Sequence, residues 1–281
     1  MKIEVSGASP LELEASVLAV PVFEEDLPDG KGLLAELDRR LDGHVSAAAA
    51  EEDFQGKVGQ SLGLRTLGKL RAARVLLVGL GKRDGAEAAL PRAGFEPLRT
   101  AAGEASRQAQ KNGATRLAFA APRLPGQTAH EARAIVEGAL LGAYRFDRYK
   151  TDDKKKKARK LETLVVVVPQ GLERSKEVKE SVALARSVAG AVAWARDRVN
   201  EPPLHLTPSR LADAARDGVR WSGGSFTRSR AQDTAPATER ASATDSFTSL
   251  DRSSPCGTTT TSVSSLRAFF FLSSVLYRSK R

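Results

Sequence analysis

The chain has 281 residues, a single cysteine (Cys256) and a formal net charge of +10. One cysteine excludes an internal disulfide and any multi-cysteine metal site, and no apolar window reaches the ~18 residues that a membrane helix needs. Residues 218–281 hold nine Lys or Arg against four Asp or Glu, and the first 217 hold 35 against 30, so the body is only mildly basic. The charged, alternating start, Met1 to Val5, is unlike a secretory signal, and the expected location is cytoplasmic.

Taken in chain order, residues 2–6 alternate at period two and predict a strand. Residues 16–23 (SVLAVPVF) form a mostly apolar run, as expected for a strand covered on both faces. Leu33, Leu34, Leu37 and Leu41 stand at helical spacing within 32–41. Residues 57–67 read as a strand, and 74–80 (RVLLVGL) as a buried one. A helix is expected within 94–111, and a strand over 116–121 (RLAFAA). Thr128 and Glu131 fit a capping box, in which each side chain satisfies a free amide at a helix start; that helix is expected to reach about Tyr144. Residues 161–168 (LETLVVVV) predict another buried strand, stopped by Pro169. Val178, Val182, Ala185, Ala189 and Val192 share one face of a long amphipathic helix over 176–199. Residues 208–217 open a further helix. Alternating β and α elements with near-continuous apolar strands imply an α/β fold, with a largely parallel or mixed sheet flanked by helices.

The character changes after Asp217. Serine and threonine supply 23 of the last 64 residues, whereas serine occurs only ten times in the first 217. Thr258 to Thr261 is a homopolymer, and Phe269, Phe270 and Phe271 are consecutive. A disordered polar tail is one reading. A tail translated out of frame is the favoured one, because the break falls inside a helical pattern.

The Gly79–Gly81 segment follows a strand and resembles a phosphate-cradling loop, yet Asp84 stands where a dinucleotide loop needs glycine, and the P-loop spacing is absent. An ordinary turn using glycine's freedom at positive φ is expected. His44, His130 and His205 are far apart in sequence and read as surface or satisfied histidines. Cys256 has no histidine near it in sequence, which argues against a nucleophile. The strongest basic cluster is Lys154, Lys155, Lys156, Lys157, Arg159 and Lys160. It could contact the phosphates of DNA, but Asp152 and Asp153 adjoin it and no aromatics interleave for base stacking. A solvated loop is the preferred reading.

Two segments go beyond generic pattern. GALLGAYRFDRYK (138–150) resembles the helix end and linker of the leucyl aminopeptidase family, the cytosolic two-metal aminopeptidases. ARDRVNEPP (195–203), with LTP (206–208), resembles that family's junction into its catalytic domain, and VLLVGLGK (75–82) is similar to a strand and turn of its amino-terminal domain. Leu204 and His205 depart from the family's more usual Asn followed by an apolar residue. The resemblance covers roughly residues 2–217.

This resemblance implies a macro-domain-like amino-terminal domain over 1–150. A linker strand, long helix and start of the catalytic junction would follow over 151–217, then a low-order tail over 218–281. It implies a homo-oligomer, a hexamer, for the intact family, acting on peptides through two divalent cations, manganese or zinc, that activate a bridging water. The family's Asn-Thr-Asp-Ala-Glu-Gly-Arg motif is absent from this sequence. No catalytic or metal residue is therefore assigned, no cofactor is expected in this chain, and the polypeptide is expected to be catalytically silent. DNA binding or assembly through Lys154–Lys160 is the alternative. An ADP-ribose-like nucleotide is a third reading, resting on fold analogy alone.

Overall fold

A computed structural model describes residues 1–27, 32–83, 95–149 and 161–221. Six strands form one sheet: β1 (Lys2–Ser6), β2 (Val17–Phe23), β3 (Ser61–Arg65), β4 (Arg74–Gly81), β5 (Arg116–Ala120) and β6 (Thr163–Val167), in the order β1-β6-β5-β2-β4-β3. Every neighbouring pair is parallel except β3 with β4. The expected mixed sheet flanked by helices is therefore present.

The apolar runs have a direct structural cause. Along β2, Val17, Ala19 and Phe23 enter one core and Leu18, Val20 and Val22 the other. A strand with both faces covered has no polar side to display. β3 lies at the sheet edge and alternates instead, with Leu62 buried and Gly63 and Arg65 exposed. Pro21 is tolerated inside β2 because β5 pairs only with Val17 to Ala19, so no ladder bond to β5 is lost at the proline.

Among the described residues six α-helices alternate with the strands: α1 (Leu33–Arg40), α2 (His44–Glu51), α3 (Glu96–Lys111), α4 (Thr128–Gly142), α5 (Lys176–Asn200) and α6 (Pro208–Trp221). Residues of α1 and α2 join one core, and residues of α3, α4 and α5 join the other. Ser175 caps α5, its side chain accepting from Val178 N at 3.2 Å. The chain divides into two compact units, Met1–Ala215 and Arg216–Arg281, of which the second is described only through Trp221. Residues 218–221 of the expected low-order tail continue α6, and the rest of it lies outside the described residues.

Two local expectations are corrected, and one helix had no counterpart among them. Thr128 and Glu131 form no capping box: the helix starts at Thr128, Gln127 precedes it, and no side chain caps it. Glu131 turns into the core instead, where its Oε1 accepts from Leu124 N at 2.7 Å. Gly79 and Gly81 lie within β4, not in a turn. A Cβ on Gly79 would stand 2.0 Å from the Lys57 carbonyl oxygen, while Gly81 has φ +82 beside a register shift between Val22 and Phe23. Close backbone approach, and not chain reversal, requires glycine at position 79. The helix α2 was not foreseen, since its alanine run buries only Val45 and Ala49. Its start is held by Asp38, whose Oδ1 accepts from Val45 N and Ser46 N at 2.9 and 3.1 Å.

Candidate functional site: the clasp between two helix ends

The helices α4 and α5 pack side by side, and the segments leaving them meet. Past Gly142 the chain presents Tyr144, Arg148 and Tyr149; the end of α5 presents Arg196, Asp197, Asn200 and Glu201. The Tyr144 hydroxyl donates to Asp197 Oδ1 at 2.8 Å and accepts from Asn200 Nδ2 at 3.2 Å. Arg196 donates to the Leu141 carbonyl at 3.1 Å and lies over the Tyr144 ring, 5.4 Å from its centroid. The Arg148 guanidinium pairs with Glu201 Oε2 at 2.8 Å, and the Tyr149 hydroxyl donates to Glu201 Oε1. His205 stacks on Tyr149, with centroids 5.3 Å apart and an interplanar angle of 14°.

The titration directions agree with this geometry. The hydrogen bond from Tyr149 holds Glu201 below the usual carboxylate range, aided by the Arg148 charge and opposed by burial. The same hydrogen bond raises the Tyr149 phenol, and burial followed by the bond to Asp197 raises Tyr144. Both phenols therefore keep their protons while Glu201 stays ionised. Such a cluster fastens two chain segments together and has no pair of groups poised to exchange a proton.

The predicted site residues are placed as follows. Lys154, Lys155, Lys156, Lys157, Arg159 and Lys160 lie outside the described residues. His44 caps its own turn, Nδ1 lying 2.5 Å from the Leu41 carbonyl oxygen, and His130 stacks on Phe95 with centroids 5.9 Å apart. His205 belongs to the clasp. Among the described residues, no three His, Cys, Asp or Glu side chains converge so as to hold a metal ion. The resemblance segments 138–150 and 195–203 were both legible in the sequence. That they touch was not, because the pairs Tyr144–Asp197 and Tyr149–Glu201 span more than fifty residues.

Residues 19–153 match the model of the cytosol aminopeptidase family, N-terminal domain. This chain carries the amino-terminal domain of the cytosol aminopeptidases. A probable cytosol aminopeptidase of Roseiflexus castenholzii is 34% identical over 218 residues, covering 77% of this chain and 40% of the relative. A tomato leucine aminopeptidase mutant structure superposes with a TM-score of 0.66 at 29% identity, covering 79% of this chain and 43% of that one. A bottromycin maturation enzyme in complex with Mn has a TM-score of 0.51 at 27% identity, covering 74% and 37%. The chain thus spans about 40% of the length of the curated relatives it matches. The two-cation centre implied by the cytosol aminopeptidase resemblance does not fit the described residues, which bring no three suitable ligands together.

Proposed function

We propose that this polypeptide is the amino-terminal part of a leucyl aminopeptidase, a module of assembly and shape that is catalytically silent by itself. The observation carrying this reading is the extent of the match: a family amino-terminal domain in a chain covering 40% of its relatives. In this reading residues 1–150 form the domain and 151–217 lead toward a catalytic domain, with the clasp between α4 and α5 setting the angle of that exit. Two divalent cations, a peptide substrate and a hexamer would belong to the intact enzyme, and the cytosolic name of the relatives supports a cytoplasmic location. The 218–281 segment, so different in composition, is read as translated out of frame.

The decisive assay incubates the pure chain with leucine amide, with and without added manganese. No release of leucine is expected in either condition, and turnover that scales with protein concentration would overturn the reading. The tail is tested separately, by translating the coding DNA in all three frames. A second frame that continues α6 and reaches Asn-Thr-Asp-Ala-Glu-Gly-Arg supports the frame reading, and its absence removes it.

A further inference from the structure

We propose that the α3-side face of β3 and β4, at the edge of the sheet, carries a binding site for a small phosphoryl group. The cross-strand register places Arg65 directly opposite Arg74. Like charges facing each other across an antiparallel pair repel, so this arrangement is unfavourable unless something between them is negative. No side chain among the described residues supplies that charge. Arg65 makes no hydrogen bond or ion pair among them, and the partner of Arg74 is the neutral Asn112, whose Oδ1 accepts from Nη1 at 3.0 Å. Both arginines line one open cleft of about 270 Å³ together with Asn112, Gly63, Val17 and Leu76.

The lining specifies the chemistry. Gly63 contributes no side chain, and a Cβ there would meet only the Leu76 methyl at 3.7 Å, so the cleft stays open above β3. Its floor is apolar, with Val17 and Leu76 nearly buried. Around that floor stand three donor groups: the Arg65 guanidinium, the N–H groups of Arg74 not used by Asn112, and the Asn112 Nδ2 amide. A carboxylate offers two oxygens, whereas a phosphoryl group offers three in a tripod, and planar guanidinium forks grip such oxygens two at a time. The volume suits a phosphate or a short phosphate monoester and is small for a nucleotide.

The test compares the full chain with Arg65→Gln, a change at an exposed edge-strand position. In chloride the variant should be at least as stable as the natural chain, because a repulsive pair has been relieved. In phosphate at matched ionic strength the natural chain should rise in Tm, and the variant should bind phosphate about tenfold more weakly. Inorganic phosphate and glycerol phosphate, run side by side, distinguish free from esterified phosphate as the source. Amide NMR should move Gly63 and Asn112 first in either case. An equal Tm rise in the variant, shifts confined to other residues, or a variant less stable in chloride would each overturn the proposal.

Discussion

Glu131 brings a carboxylate into the core, where Oε1 accepts from Leu124 N and Oε2 meets no donor among the described residues. Burial pushes its pKa up to about 7 from 4.5, against the weaker opposing pull of the Leu124 and Arg123 amides and the Arg123 charge. Between those values the folded chain retains a proton that the unfolded chain has released. The resulting stabilisation is complete below about 4.5 and is lost as pH rises through about 7. Between about pH 5 and about pH 8, Glu131→Gln should therefore lose less stability than the natural chain, read as urea midpoints. Equal losses would assign the dependence to other groups. Position and residue type suggested a helix cap here; only the packing of α4 against the sheet shows that this side chain points inward.

Helix pairing depends on glycines whose role has no local sequence signature. A Cβ on Gly138 would stand 2.1 Å from the Arg99 carbonyl oxygen, and one on Gly142 would stand 2.4 Å from that of Gly103. Here α3 and α4 touch backbone to backbone, so Gly138→Ala must push them apart, at a cost of about 1–3 kcal/mol by denaturant titration. Beside this contact Glu137, only 4% exposed, accepts from Arg133 Nε at 2.7 Å and from Arg99 Nε at 3.0 Å. The clasp is a second element-scale test. Tyr144→Phe removes both hydrogen bonds of the hydroxyl, the one to Asp197 and the one from Asn200, and should cost about 1–2 kcal/mol. Combined with Asp197→Ala, the two losses should fall short of their sum, because both variants remove the same Tyr144–Asp197 bond.

For the molecule as a whole, the telling feature is the apolar surface left on the elements that end the described part of the first unit. Val199 and Leu204 are each 85% exposed, and Leu184 and Leu211 are nearly half exposed. Exposed apolar side chains such as these favour association. Light scattering should show association that grows with concentration, reduced when Val199 and Leu204 are both changed to serine. A monodisperse monomer at high concentration would count against this.

The strands and most helices were determined by the sequence alone, because their signals are local. Continuous apolar runs such as 74–80 and 161–168 mark strands buried on both faces, and the stripe through Val178, Ala185 and Ala189 marks the inner face of α5. The two segments resembling leucyl aminopeptidases were legible for the same reason, as contiguous text. Strand order was not: β6 lies between β1 and β5, and nothing within TLVVV names its neighbours. The inward turn of Glu131, the need for glycine at 79, 138 and 142, the clasp, and the facing of Arg65 by Arg74 were likewise decided by the tertiary structure. Each depends on residues remote in sequence being brought within a few ångströms, which local pattern does not encode.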